Sequence, residues 1–131
     1  MKIDIHSHIL PGIDDGARTL EESVRLVSEM AGWGFERITC TPHITKKFRN
    51  TQDSIKEKFD MLSNAVSSKG LDIELRMSAE YRLNPETWPE ILSQGQLMPI
   101  EDQYILMEFP INDPTEMGDL IPMEEFRKVL S

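Results

Sequence analysis

Apolar and polar positions alternate in blocks along the chain. The opening is short and strand-like: Ile3 and Ile5 alternate with polar neighbours, and the run ends in His6-Ser7-His8. Leu20, Val24, Val27, Met30 and Ala31 then recur at helical spacing and make one apolar stripe. Thr19 and Glu22 stand where a capping box starts such a helix, and Gly32 and Gly34 stop it. Residues 37–43 are β-rich and contain Pro42, which predicts a second strand with His43 just past its C-terminal end. A polar connection at 46–50, with Phe48 in it, leads to a second helix capped at or next to Thr51. Its face is Ile55, Phe59, Leu62, Ala65 and Val66, and Gly70 fits its stop. Alternation over 72–80 predicts a third strand ending near Glu80. Residues 84–95 read as a short helix broken by Pro89 and carrying Trp88, Ile91 and Leu92. Residues 103–110 predict a fourth strand with Glu108 near its C-terminal end, and 123–130 the start of another helix.

That order implies an α/β fold of parallel strands joined by right-handed crossovers. Parallel strands place their C-terminal ends on one side of the sheet, where such folds build their sites. Each predicted strand carries a metal-competent side chain there: His6 and His8, His43, Glu80 and Glu108, with Asp14 in the loop above the first. Residues two apart in an extended chain point the same way, so His6 and His8 can aim two imidazoles at one point. Taken singly, each residue has a plainer explanation as a solvated strand end or a capping histidine, and together they could form a structural ion-pair network. Convergence strains those explanations. Glu108 lies in an apolar run, where an unpaired carboxylate is expensive, and clustered carboxylates and imidazoles repel or go unsatisfied without a cation. A metal site is the expectation.

No thiolate joins that set, because the single cysteine, Cys40, falls inside the second predicted strand as a small core residue. Mixed imidazole and carboxylate donors suit Mn²⁺, Fe²⁺, Zn²⁺ or Mg²⁺. Glu80 or Glu108 can bridge two ions, which points to a multinuclear site. Such sites activate water and clamp phosphoryl oxygens in an in-line displacement, so phosphoester hydrolysis is the favoured chemistry.

Composition narrows the classes further. At 131 residues the chain makes at most one domain, 1–131, with length enough for a real core. Hydrophobic content of 39% and charged content of 28% describe a globular protein. A net charge of −9 argues against a nucleic-acid surface, which would cluster Lys and Arg. No apolar run approaches the roughly 20 residues of a membrane helix, and no signal-peptide pattern opens the chain. One cysteine excludes an internal disulfide and suits a reducing cytosol, so a cytoplasmic protein without membrane insertion is expected.

The runs His6-Ser7-His8, Leu10-Pro-Gly-Ile-Asp-Asp-Gly16, Thr41-Pro-His43, Ala79-Glu80-Tyr81 and Met107-Glu108 resemble the polymerase and histidinol phosphatase (PHP) superfamily. Within it they are most similar to the bacterial PHP-type protein-tyrosine phosphatases of capsular and exopolysaccharide gene clusters. The resemblance implies a manganese-dependent phosphotyrosine phosphatase on a distorted TIM-like (β/α)7 barrel. It implies the Tyr-phosphorylated tail of a polysaccharide-synthesis kinase as substrate. By the same resemblance His6 and His8 match histidines of the first metal, Glu80 the bridging carboxylate and Glu108 a ligand of the second metal. Asp14 and His43 match a loop aspartate and a histidine near a third metal or the substrate phosphate, where they would hold metal or assist catalysis.

The departure is length. Members of that group continue into strands that supply another histidine, an Asp-x-His pair and phosphate-binding arginines, whereas all three histidines here fall within the first 43 residues. The expectation is therefore the N-terminal half of a PHP barrel, a single partial domain. Its open sheet edge would invite an oligomer to cover it. Two alternatives stay open: a phosphatase of a small phosphomonoester such as histidinol phosphate, and an inactive half-barrel remnant acting as an interaction module.

Overall fold

A computed structural model of the chain describes residues 1–84, 88–93 and 97–109. The elements are β1 (Ile3–Ser7), α1 (Leu20–Gly32), β2 (Arg37–Cys40), β3 (His43–Ile44), α2 (Gln52–Ser68), β4 (Glu74–Met77), β5 (Glu80–Arg82), α3 (Trp88–Ser93) and β6 (Leu106–Glu108). Strands β1-β2-β4 form one sheet and β3-β5-β6 a second, and every pairing within them is parallel. The α/β class with parallel strands is as the periodicity predicts.

The strand count differs from the expectation. The runs expected as single strands at 37–43 and 72–80 each break in two, so that His43 opens β3 and Glu80 opens β5. Proline at 42 has no N–H to donate to a ladder. Ser78 is fully buried and turns its hydroxyl to the carbonyl of Met98, 3.0 Å away. Backbone bonds nevertheless carry on across both breaks: Thr41 N to Ser7 O at 2.8 Å, Ser78 N to Cys40 O and Glu80 N to Pro42 O at 2.9 Å each. The fourth expected strand shortens to β6, since residues 100–104 turn through an antiparallel bridge with Glu101 and Asp102 at φ 51° and 59°. It pairs with β5, which places Glu108 in the second sheet.

The helices follow their caps. Thr19 Oγ1 accepts from Glu22 N at 3.1 Å to start α1, but the Glu22 carboxylate reaches Arg18 N rather than Thr19. Thr51 and Ser54 complete a reciprocal box at α2. Val27 of α1 and Ile55, Leu62 and Val66 of α2 are buried in one cluster with Ile38 and Cys40 of β2. Each such side chain contributes about 1.5–3 kcal/mol by leaving water. The expected broken helix is α3, which buries Trp88 and Ile91 and holds Pro89 in its first turn, where proline is tolerated. The helix expected at 123–130 lies outside the described residues.

β1 is an edge strand, and both Ile3 and Ile5 on it are exposed. The apolar edge anticipated from the sequence is thus present among the described residues.

Candidate metal centre

The loop after β1 explains how the first ligands are aimed. Asp4 pairs with Ile38 and Ser7 with Cys40, so β1 carries one extra residue between them, a bulge that turns its side chains. Ile9, Leu10 and Ile13 then bury themselves in the core and pull the loop down. Gly12 N donates to Ala17 O at 2.9 Å and Ala17 N to His8 O at 3.0 Å, closing it. Gly12 takes φ +65°, and a Cβ on Gly16 would collide with the His8 carbonyl.

That closure carries Asp14 against the His8 ring. Asp14 Oδ2 accepts from His8 Nδ1 and from the backbone N of His43, both at 3.0 Å, and Oδ1 accepts from Gly16 N at 2.9 Å. Burial, the largest single influence, pushes the Asp14 carboxyl upward, but the bonds from His8, Gly16 and His43 together hold it below the usual carboxylate range. The bond to Asp14 in turn raises the His8 pKa above the ordinary histidine value, against the opposing effect of burial. His8 Nδ1 thus carries a proton toward Asp14. Its Nε2 points the other way.

What Nε2 meets is a carboxylate oxygen. Glu80 Oε2 lies 3.1 Å from His8 Nε2, 3.2 Å from His6 Nε2 and 3.2 Å from His43 Nδ1, while the two Nε2 atoms are 3.1 Å apart. In neutral His8 with Nδ1 protonated, Nε2 presents a lone pair to the lone pairs of Glu80, which repel unless a proton or a cation stands between. His43 Nδ1 is buried with no hydrogen-bond partner, close to Glu80 Oε2 and 3.8 Å from Glu108 Oε2. Metal–donor bonds of about 2.0–2.2 Å at tetrahedral or octahedral angles set neighbouring donors about 3–3.5 Å apart. The 3.1–3.2 Å spacings around Glu80 match, and the 3.8 Å from His43 Nδ1 to Glu108 Oε2 lies just beyond that range. His6, His8 and Glu80 make one group able to hold an ion, His43, Glu80 and Glu108 a second, and His8, Asp14, Asp15 and His43 a third.

All six residues expected from the sequence are therefore brought together, although by a different route. The site sits where the first sheet gives way to the second, not along the ends of one sheet. Register pairs His43 with Glu80 and Arg82 with Glu108. Glu108 is not the isolated carboxylate its apolar run implied: Arg82 Nη1 lies 2.8 Å from its Oε1. Asp14 has both oxygens engaged by N–H donors and orients His8 from behind.

Sequence reasoning missed Asp15, 3.4 Å from His43 Nε2, and Arg82. It also passed over Asn50, whose Nδ2 is within hydrogen-bond distance of the carbonyls of Ile13 (3.0 Å) and His43 (2.8 Å) and ties the two loops together. Asn50 lay in a polar stretch with nothing to mark it. Beside the centre opens a cleft of about 460 Å³, lined by Asp15, His43, Thr45, Lys46, Lys47, Phe48, Arg82 and Glu108. That volume falls within the range of small-ligand sites.

Comparison with known proteins places this arrangement. YwqE, a tyrosine-protein phosphatase of Bacillus subtilis, is 31% identical over 112 residues, covering 84% of this chain and 44% of its own length. CpsB, a tyrosine-protein phosphatase of Streptococcus pneumoniae, is 30% identical over 112 residues, covering 84% of this chain and 46% of its own. A solved structure from work on these two, described there as unique metal-dependent tyrosine phosphatases, superposes with a TM-score of 0.72 at 31% identity. It covers 82% of this chain and 44% of that one. The chain thus spans a little under half the length of the relatives it matches. A family model for capsular polysaccharide synthesis, CpsB/CapC, matches residues 2–119. With nearly the whole chain inside that match, the protein belongs to the CpsB/CapC family of capsular polysaccharide synthesis.

Proposed function

We propose that the chain is the metal-holding part of a metal-dependent protein-tyrosine phosphatase, built as the first portion of a distorted TIM-like PHP barrel. The observation that carries this reading is the Glu80 carboxylate, with three imidazole nitrogens within 3.2 Å of one oxygen. Manganese is the favoured ion, with Fe²⁺, Zn²⁺ and Mg²⁺ accepted by the same donors. His6, His8, Glu80, His43 and Glu108 would hold the ions, with Glu80 shared between them.

When bound, such ions polarise a phosphoryl group and lower the pKa of water. The chain's own residues do the rest. Asp14 fixes the tautomer and direction of His8, as carboxylates behind ligating histidines do. Asp15, beside His43 at the cleft, is placed to take a proton. Arg82, Lys46 and Lys47 line the same cleft and bring cationic donors to an incoming phosphate. The substrate in this reading is the Tyr-phosphorylated tail of a polysaccharide-synthesis kinase, met in the cytosol.

Metal analysis and hydrolysis of p-nitrophenyl phosphate test the reading. Expected are bound Mn, Fe or Zn in purified protein and hydrolysis raised by added Mn²⁺. Absence of both would sink it. A second reading is favoured by one observation, that the chain spans under half the length of its relatives: a metal-binding module that lacks turnover alone. Bound metal with no hydrolysis supports that version.

A further inference from the structure

We propose that Phe48 selects aromatic phosphomonoesters, its ring forming the wall along which the substrate's aryl group lies while the phosphate reaches the ions that His43, Glu80 and Glu108 would hold. This rests on the phosphatase reading above and adds a specificity residue to it. The rings of His8 and His43 stack at 4.4 Å and 24°. The rings of His43 and Phe48 follow at 6.0 Å and 16°. Three near-parallel rings thus run in file from the metal-competent nitrogens out into the cleft.

Phe48 is held firmly, yet not by the core. It is half-buried and lies outside the main apolar cluster. Backbone bonds fix it instead: Phe48 N donates to Thr45 Oγ1, while Thr45 N and Asn50 N both donate to Phe48 O, each at 2.9 Å. With its backbone so fixed, the half-buried Phe48 lines the cleft beside His43 and offers an incoming ligand an apolar face. An aryl ring is the fitting occupant, since aromatic pairs gain most with centroids about 4.5–7 Å apart. Lys47 Nζ now lies 5.2 Å from the Phe48 centroid, but it is an exposed ammonium on a flexible stem and can withdraw to water. A seryl phosphate offers no ring and reaches less far along this wall.

The test is binding of phenylphosphonate against methylphosphonate to the Mn²⁺-loaded chain, by isothermal titration. Wild type is expected to prefer phenylphosphonate. In Phe48→Leu that preference falls by several-fold to about tenfold, with methylphosphonate affinity and metal content unchanged, and Phe48→Tyr retains it. If wild type binds neither phosphonate, the phosphatase reading falls and this inference with it. If wild type prefers phenylphosphonate and Phe48→Leu keeps the full preference, this inference alone is overturned. It is overturned equally if Phe48→Leu loses metal or weakens both ligands alike, because the role is then structural.

Discussion

At the N-terminal end of β2 and β4, Arg37, Glu74, Arg76 and Glu101 form a closed ring of ion pairs. Arg37 Nε meets Glu74 at 2.7 Å, Arg76 Nε meets Glu74 at 2.9 Å, Arg76 Nη1 meets Glu101 at 2.9 Å, and Arg37 Nη1 returns to Glu101 at 3.2 Å. At the other end of the same strands, Asp14, Asp15, Glu80 and Glu108 gather around three imidazoles and Arg82. In the first cluster two guanidiniums face two carboxylates, and each charge has its opposite. In the second, four carboxylates face three imidazoles and a single guanidinium, and three imidazole nitrogens converge on one oxygen of Glu80. Charged residues in a cluster are therefore weak evidence of a site. An imbalance of lone pairs aimed at one point is stronger evidence, because only added protons or a cation resolve it.

The largest expected break in this contrast is Glu80→Gln. The amide cannot bridge, and metal affinity falls by more than about 100-fold, since even residues behind the ligands are worth 10–100-fold. Glu74→Gln in the balanced cluster leaves metal binding as it is, and the pair of titrations tests the comparison directly. Asp14→Asn comes next, costing about 10–100-fold in metal affinity while the fold persists. With it the His8 pKa returns toward its ordinary value, which NMR titration of the ring would show. Gly16→Ala forces a Cβ into the His8 carbonyl and is expected to cost about 1–3 kcal/mol by denaturant unfolding, with weaker metal binding as His8 shifts.

A smaller effect follows from pH. The raised His8 pKa contributes stability to the metal-free protein fully below the ordinary histidine value of about 6.5, and that contribution is lost as pH rises through the raised value. The depressed Asp14 pKa contributes above about 3.9 and is lost as pH falls through the lowered value. The pair is thus worth most between about pH 4 and 6.5, and Tm of the metal-free protein should reflect it. Metal affinity runs the opposite way, falling as pH drops through the raised His8 value, because the proton takes the nitrogen the ion needs. A metal affinity that does not change over that range would remove His8 from the ligand set. Smallest of all, Glu74→Gln should lower stability slightly, with added salt shrinking the difference from wild type.

Helices α1 and α2 were legible because each is self-contained: a threonine cap, an apolar stripe and a glycine stop all lie within one short stretch. The strand breaks were less so. Pro42 marked one, but Ser78 gave no sign that its hydroxyl would turn inward to Met98, because that partner is 20 residues away. The same distinction holds at the site. His6, His8, His43, Glu80 and Glu108 stood out by type and by position at predicted strand ends. Asp14 stood out as a ligand, yet its place behind His8 depends on a loop closed by Gly12, Gly16 and buried Ile13.

Sequence alone thus determined where the two long helices lie and which side chains carry metal-competent donors, since caps, periodicity and donor chemistry are local properties. Tertiary structure decided the rest. It placed a bulge in β1, a second short sheet beyond Pro42 and Ser78, and one oxygen of Glu80 within 3.2 Å of nitrogens from residues 6, 8 and 43. Those contacts join residues up to 74 positions apart, and only a packed core fixes such distances to a fraction of an ångström.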